Sequence, residues 1–322
     1  IMFIMCRNFL QKFFLNIDRG YKRRSPENII SMNQPFNEKN FNFTKLVSEE
    51  QIMNLNNTDK DDIIAINASP IEYCHSLLLP QRCKQLPQLV TKYSLLKAVE
   101  LFSLSLYLRV AFNSLCAFAS VNHLHWHLYY LRWRMLLEYI DLEEYAGPIQ
   151  ILGNYPAKGF CIKYSNVQNM NDFVNWALLI IDYLKNKQIP HNIYITRGKS
   201  NIKENKEKYR DVRIYIWARK STQGAKDIHE FNVAACELFG HLSIKCEIRT
   251  EFNFPDLNPL DYYVWGVIER QTNKCRHPNV NSLRAAIESE FATIKRDQLK
   301  SACSRFRARI EQVIEAEGGY IE

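Results

Sequence analysis

Three histidines alternate with apolar residues in the segment NHLHWHLYYL, residues 122–131. Side chains of a β-strand alternate between its two faces, so one face would carry His123, His125 and His127 at steps of about 6.6 Å. The other face would carry large apolar or aromatic side chains, which are Leu124, Trp126, Leu128 and Tyr130. The pattern predicts a strand that packs one face into the core and presents three imidazoles on the other.

The residues alone leave three interpretations of this row of imidazoles open. It could be the polar, solvent-facing side of a strand. Because His-x-His on a strand is a good chelating pair, the row could also hold a catalytic metal ion. Third, a neutral imidazole is a good nucleophile towards phosphorus, and flanking histidines can donate hydrogen bonds to phosphate oxygens.

Bulk properties restrict the class of protein. The 322 residues suggest about two domain-sized units, and a hydrophobic fraction of 47% with 24% charged residues is typical of a globular chain. The net charge of +8 suits phosphorylated substrates as well as nucleic acid. Nine cysteines without a C-x-x-C pair argue against a disulfide framework, which favours a reducing, cytoplasmic location. Charged residues interrupt the apolar stretches, so we predict neither a signal peptide nor a membrane segment.

Apolar periodicity and turn residues predict an α+β fold with an antiparallel sheet that carries His125 near its centre. Residues 1–60 are rich in Asn, Lys and Glu, and we expect them to be irregular. The predicted strands lie in 61–80 on either side of a turn at Ser69-Pro70, in 109–131, in 192–198 and in 212–220. The predicted helices span 84–104, 171–186 with Asn171 as cap, 228–241, 281–297 and 299–317.

Several segments, in order, resemble one family. His123-Leu-His125-Trp-His127-Leu is similar to the histidine-triad signature, and RVAFNSLCAFASVNHLHWHLYYL (109–131) resembles GDP-D-glucose phosphorylases and the plant GDP-L-galactose phosphorylases. Further segments of the same resemblance are KRRSPENIISMNQPFNEKNFNF (22–43), SPIEYCHSLLLPQR (69–82), PHNIYITRG (190–198) and IYIWARKSTQGAKDIHEFNVAACELFGHL (214–242). The resemblance implies a histidine-triad-like antiparallel sheet with flanking helices over 19–245, after an irregular segment 1–18.

The resemblance implies a covalent mechanism in two steps. His125 would attack the α-phosphorus of GDP-glucose, glucose 1-phosphate would leave, and inorganic phosphate would then release GDP from the guanylyl-histidine. The expected partners are therefore GDP-glucose and inorganic phosphate, with no metal and no cofactor. His123 and His127 would orient His125 and contact the phosphate, and Ser120 lies three places before the first histidine, where related uridylyltransferases have a phosphate-binding serine.

Other candidate binding residues have an equally good structural interpretation. Asn113 is expected to pack beside the site or to form a turn. His75 is expected near the nucleotide or as a buried, hydrogen-bonded histidine. Four basic residues suit phosphate but could also be solvated surface; they are Arg197, Arg219, Lys220 and Lys226.

The chain also departs from the family pattern. The family leads us to expect glycine at two positions that hold Ala111 and Cys116, where an added Cβ could strain a tight backbone. The resemblance stops near Lys245, where the family continues, so the domain is expected to be truncated at its C-terminal end. A truncated domain could be an inactive remnant that only binds guanine nucleotides.

The tail has a different resemblance. FPDLNPLDYYVWGVIERQ (254–271) is similar to the end of the catalytic domain of mariner-type transposases, and we assign 252–322 to such a fragment with a short helical structure. In that family Asp261 would be the third metal-binding carboxylate. Because the two upstream acids have no match here, we expect no DNA cleavage, and nucleic acid is not an expected partner. A transposon-derived DNA-binding protein stays as an alternative function.

Overall fold

The computed structural model describes residues 2–6, 9–15, 27–55, 61–198, 211–225, 232–244, 266–275, 277–295, 297–298 and 301. The chain divides into two compact units, Ile1–Glu247 and Ile248–Glu322. The strands are β1 (Met2–Cys6), β2 (Phe9–Leu15), β3 (Gln51–Asn54), β4 (Ile63–Ile66), β5 (Ser76–Leu79), β6 (Leu108–Asn113), β7 (Trp126–Tyr130), β8 (Glu143–Ala146), β9 (Ile149–Ile151), β10 (Phe160–Lys163), β11 (His191–Gly198), β12 (Asp211–Ala218) and β13 (His241–Ile244). The helices are α1 (Lys92–Ser103), α2 (Met170–Asn186), α3 (Ala235–Leu238), α4 (Gly266–Thr272) and α5 (Val280–Thr293).

Ten strands of the first unit form one sheet in the order β3-β4-β5-β7-β6-β11-β12-β10-β9-β8. Every neighbouring pair in this sheet is antiparallel. The expectation of an α+β fold built on an antiparallel sheet is therefore confirmed. The histidine strand β7 is the fourth strand from one edge, close to the middle of the sheet.

The sheet consists of two halves with the same order of elements. Each half has three strands, a helix and two more strands, and the last strand lies between the third and the fourth. The halves meet where β6 pairs with β11, with Asn113 opposite Asn192 and Phe112 opposite Ile193. Antiparallel pairing of equivalent strands is the arrangement that a twofold relation between the halves would produce.

The two faces of the sheet are covered differently, because side chains alternate along each strand. Aliphatic side chains such as Ile193, Ile195 and Ile214 pack under α1 and α2 in one core. Aromatic side chains such as Tyr194 and Tyr215 form a second core on the opposite face, covered by loops and α3. The histidine face of β7 belongs to this second side, since Tyr129 lies in that core.

The first helix begins later than the sequence suggested. The predicted span was 84–104, whereas α1 begins at Lys92. Pro87 disfavours helical conformation at the residue before it, Leu86, which lies inside the predicted span. The start is fixed by a capping box, in which the Thr91 side chain accepts from the Ser94 N–H and the Ser94 hydroxyl accepts from the Thr91 N–H, both at 3.1 Å.

The second helix matches its predicted span but not its predicted cap. Asn169, and not Asn171, caps α2, because its side-chain oxygen accepts from the Asp172 N–H at 3.0 Å. The buried face of α2 carries Phe173, Val174, Ala177, Ile181 and Leu184.

The N-terminal segment is not irregular as expected. β1 and β2 pair as an antiparallel hairpin, and β13 lies parallel to β2, with His241 opposite Lys12. The helix predicted for 228–241 is shorter than expected among the described residues, since α3 covers Ala235–Leu238 and β13 begins at His241. The apolar runs of 2–6 and 9–15 suit strands, but the partner strand is more than two hundred residues away and could not be inferred locally.

The second unit contains α4 and α5. α5 corresponds to the helix predicted for 281–297, whereas the helix predicted for 299–317 falls outside the described residues except for Ser301. Among the helices in the described part of the chain, none has the length and apolar character needed to cross a bilayer.

A buried ion pair braces the loop that follows β7. Arg109 Nη2 lies 2.6 Å from Glu138 Oε1, the Thr196 hydroxyl donates to the same oxygen at 3.2 Å, and the two charged side chains are 4% and 1% exposed. We expect Glu138→Gln to lower the free energy of unfolding by about 3–5 kcal/mol, because it leaves the guanidinium buried without its counter-charge. Urea denaturation at pH 7.5 measures this change.

The surface pair Lys97–Glu100 provides the control, since its Glu100 side chain is 61% exposed. Glu100→Gln should change the free energy of unfolding by less than about 1 kcal/mol. Equal effects of the two substitutions would show that the buried pair does not brace the fold.

Candidate active site

The histidine strand begins later than predicted. β7 starts at Trp126, so His123 and His125 lie in the approach to the strand. The backbone of Leu124 and His125 does not bond to a neighbouring strand. Instead, the Leu124 N–H donates to the Leu86 carbonyl at 2.9 Å, and the His125 N–H donates to the Gln88 side chain at 2.8 Å. The predicted alternation still holds, since Leu124, Trp126 and Leu128 lie in the helix-side core.

His125 is held as a neutral imidazole with a defined proton position. Its Nδ1 lies 2.7 Å from the His123 carbonyl oxygen, which can only accept, so Nδ1 carries the proton and Nε2 the lone pair. Burial lowers the pKa of His125 from 6.5 to about 4. Among the described residues none is seen to hydrogen-bond to Nε2, and the residue is 3% exposed.

His123 is engaged by the protein through both ring nitrogens. Nδ1 accepts from the Phe43 N–H at 3.0 Å, so the proton is on Nε2, which donates to the Arg82 carbonyl at 3.1 Å. Burial lowers its pKa to about 4. Both ring nitrogens of His123 are therefore occupied, and neither is left for the expected contact with phosphate. His123 orients His125 through its backbone carbonyl instead.

The third histidine of the row packs against a fourth. His75 Nε2 lies 3.0 Å from His127 Nδ1, and the rings of His127 and His125 are 5.3 Å apart. His75 is 4% exposed, and its Nδ1 accepts from the Ile71 N–H at 3.1 Å. His75 is thus a buried, hydrogen-bonded histidine, as one interpretation expected. It also lies beside the histidine row, which agrees with the other interpretation.

Asn113 extends the polar row onto the neighbouring strand. Asn113 lies close to His125, since the Gln88 amide donates to the carbonyls of both residues just beyond the end of the β6–β7 pairing. Its Oδ1 accepts from Asn192 Nδ2 at 2.7 Å and from the Ala235 N–H at 2.9 Å. Its Nδ2 has no partner among the described residues, which leaves an amide donor next to the imidazole.

The other candidate residues are placed less directly. Ser120 is half-buried and its carbonyl accepts from the Glu27 N–H at 3.2 Å; no contact with the imidazoles is seen within the described ranges. Lys226 lies outside the described residues. Arg197 donates to the carbonyls of Phe102 and Ser105, so it is a structural residue of the helix side.

Arg219 lies on the histidine side of the sheet. Its Nη1 donates to Asn192 Oδ1 and to the Val233 carbonyl, both at 2.9 Å. It is thereby linked through Asn192 to Asn113. Lys220 is exposed.

The two positions where glycine was expected differ. Ala111 is fully buried in a regular strand, so its Cβ is accommodated. Cys116 has φ +58°, a left-handed conformation that glycine adopts at lower cost, so the expectation of strain is met there.

Two residues that surround His125 were missed by the sequence analysis. The ring of Phe43 lies 5.0 Å from that of His125 and 5.6 Å from that of His123. The Gln88 amide bonds both backbone groups of His125. The one local signal was a polar glutamine between Pro87 and Leu89 in an otherwise apolar stretch.

This arrangement suits nucleophilic attack better than metal binding. A lone pair on Nε2 of a neutral imidazole, with its proton fixed on the opposite nitrogen, is what attack on phosphorus requires. A three-histidine metal site would need one nitrogen from each ring, and His123 has none left. In the described part of the chain, no group of three or more His, Cys, Asp or Glu side chains is arranged to hold a metal ion.

Comparison with known proteins gives two matching family models. The model described as GDPGP1-like, N-terminal domain, matches residues 8–129, and the one described as GDPGP1-like, C-terminal domain, matches residues 142–253. The second match extends past Lys245, where the sequence resemblance was expected to end.

Curated relatives agree with these matches. GDP-D-glucose phosphorylase 1 of Homo sapiens is 38% identical over 245 residues, which are 72% of this chain and 64% of the relative. The Danio rerio protein of the same name is 38% identical over 238 residues, covering 72% and 69%. GDP-L-galactose phosphorylase 2 of Arabidopsis thaliana is 33% identical over 216 residues, covering 58% and 49%. The chain thus spans 64% of the length of its human relative.

Among solved structures, the yeast Ap4A phosphorylase Apa2 in complex with AMP gives a TM-score of 0.48 at 16% identity, covering 74% of this chain and 81% of that one. The family models match the part of the chain that holds the ten-stranded sheet and the histidine row. The chain belongs to the GDPGP1-like family.

Proposed function

We propose that the chain is a GDP-D-glucose phosphorylase of the histidine-triad type, which converts GDP-glucose and inorganic phosphate to GDP and glucose 1-phosphate. The observation that carries this proposal is the state of His125, whose Nδ1–H is bound to the His123 carbonyl, so that Nε2 keeps its lone pair. The names of the curated relatives supply the substrate class.

The proposed reaction proceeds through two displacements at the α-phosphorus. In the first, Nε2 of His125 forms the P–N bond, the bond from the α-phosphorus to the bridging oxygen breaks, and glucose 1-phosphate leaves with that oxygen. In the second, an oxygen of inorganic phosphate attacks the same phosphorus, the P–N bond breaks, and GDP leaves. His125 returns to its neutral form, so the histidine is regenerated.

The neighbouring residues have distinct proposed roles. Asn113 and His127 adjoin His125 and would donate to the α-phosphate oxygens as negative charge builds up on them. Ser120 and Lys226 stay as proposed phosphate contacts. His123 would act on His125 through its carbonyl, because its ring nitrogens are occupied.

Two further proposals concern the domain boundaries with the tail and the location of the chain. We propose that 19–245 is the catalytic domain and that 252–322 derives from a mariner-type transposase; Asp261 lies outside the described residues. We further propose a cytoplasmic location, in keeping with the nine cysteines of the sequence, which contain no C-x-x-C pair.

A direct assay tests the proposal. The purified chain is incubated with GDP-glucose, with and without phosphate, and GDP and glucose 1-phosphate are quantified. We expect both products in equal amounts and only with phosphate, whereas ADP-glucose serves as the matched control substrate for the base. A folded chain that binds GDP but yields no phosphate-dependent product would instead be a guanine-nucleotide-binding protein without turnover. Binding to DNA that weakens steeply with salt would favour the transposon-derived alternative.

A further inference from the structure

Gln88 is a fully buried side chain whose hydrogen-bonding groups all face the active-site backbone. It is 0% exposed and lies in the segment that leads into α1. Its Oε1 accepts from the His125 N–H at 2.8 Å, and its Nε2 donates to the carbonyls of His125 and Asn113 at 3.1 and 2.9 Å. Both amide protons and the amide oxygen are therefore used.

The amide substitutes for a missing stretch of β-ladder. The direct pairing of β6 with β7 ends at Ala111 and His127, two residues before His125. Beyond that point the Gln88 side chain bridges the backbone after β6 and the backbone before β7. The backbone N–H of Gln88 donates to Asn122 Oδ1 at 3.0 Å. Gln88 thus holds the backbone N–H and the carbonyl of His125, together with the carbonyl of Asn113.

Resting on the proposed function, we propose that Gln88 is a positioning residue for His125. It fixes the backbone from which the imidazole projects and keeps the His123 carbonyl within reach of His125 Nδ1, so that Nε2 points at the substrate with its lone pair. In-line attack is sensitive to such placement, and an error of about 1 Å can cost roughly 100-fold in rate.

Replacement of the amide by a carboxyl group makes a reversible test. In an ionised carboxylate one oxygen could still accept from the His125 N–H, but the oxygen that replaces Nε2 would face the carbonyls of His125 and Asn113, which need a donor. A protonated carboxyl group would again offer one donor and one acceptor, and burial favours this neutral form. Acid should therefore restore the function of Gln88→Glu.

Two titratable neighbours of the amide keep their charge state between pH 6 and 8.5, and the wild-type rate over the same range accounts for the His75–His127 pair beside His125. His125 and His123 have pKa values near 4, because both are buried. The other neighbours of the amide are uncharged, and Glu27 lies one residue further out, where it accepts from the Asn122 N–H at 3.1 Å.

The experiment measures the rate of GMP transfer to the protein from GDP-glucose in a single turnover without phosphate, at pH 6 to 8.5, in the full chain. We expect Gln88→Glu to be about 100-fold slower than wild type at pH 8.5 and at least about tenfold faster at pH 6 than at pH 8.5. Gln88→Met, which has no donor, should be slow at every pH. Gln223→Glu is the matched control, because Gln223 is an exposed amide with one carbonyl partner, and should behave as wild type.

Wild-type rates in both Gln88 variants would overturn the proposal, as would a slow Gln88→Glu whose rate ignores pH. If the wild-type chain takes up no GMP, it is the proposed function that fails. The ¹⁵N NMR signals of the His125 ring then decide the positioning role without turnover. We expect the fixed Nδ1–H tautomer in wild type and its loss in Gln88→Met; an unchanged tautomer in that variant would refute the role.

Discussion

His125→Ala should abolish phosphorolysis of GDP-glucose, with a loss on the order of 10⁴-fold or more, because it removes the atom that forms the covalent intermediate. GMP labelling of the protein, followed by intact-protein mass spectrometry, should disappear at the same time. Affinity for GDP should change little, since the proposed phosphate contacts from Asn113 and His127 stay in place.

A matched control for this substitution is another buried histidine outside the proposed machinery. His191 is 1% exposed and stacks on Phe112 at 6.1 Å on the helix side of the sheet. We expect His191→Phe to keep both turnover and labelling. Labelling at the wild-type level in His125→Ala would show that a different residue is the nucleophile and would contradict the proposed mechanism.

Acid should unfold the first unit well before the carboxylates are titrated out. Burial lowers the pKa of His123, His125 and His191 from 6.5 to about 4 each. Between pH 6.5 and 4 the unfolded chain therefore binds more protons than the folded one, and stability that is complete above pH 6.5 is lost as the pH falls. Each histidine accounts for about 3 kcal/mol below pH 4, and three of them approach the roughly 5–15 kcal/mol by which domains are stable.

Equilibrium urea denaturation at half-unit steps from pH 7.5 to 4.5 measures this loss. His191→Phe removes one of the three groups, whose Nε2 is buried without a partner, so this variant should lose less stability on acidification than wild type. His277→Gln, in the second unit, is the control and should leave the acid transition of the first unit unchanged. A free energy of unfolding that stays constant down to pH 5 would contradict the buried, neutral state of these imidazoles.

The face of each residue in 122–131 was predictable from sequence, but the start of the strand was not. Alternation identified Leu124, Trp126 and Leu128 as core, because a period of two is a local property. Whether the backbone at His125 pairs with a strand or with a side chain depends on Gln88, which is distant in sequence. Local pattern cannot carry that information.

The same limit explains the other differences. The N-terminal hairpin depends on β13 as a long-range partner. The repeat of the two halves is a repeat of strand order, which the periodicity of single segments does not reveal. The role expected for His123 differs from the one that the structure indicates. Its ring partners, the Phe43 N–H and the Arg82 carbonyl, come from segments that no motif describes.

The pairing of β6 with β11 gives the first unit the arrangement of a symmetric dimer whose two halves are joined in one chain, with the histidine row in the first half. The histidine-bearing strand β7 corresponds to β12 in the other half, and there the matching face carries Arg213, Tyr215 and Trp217. Those residues cannot repeat the nucleophile, yet their half still supplies β11, which covers the edge of β6 beside Asn113. Changes on that face of β12 should therefore lower stability before they lower turnover.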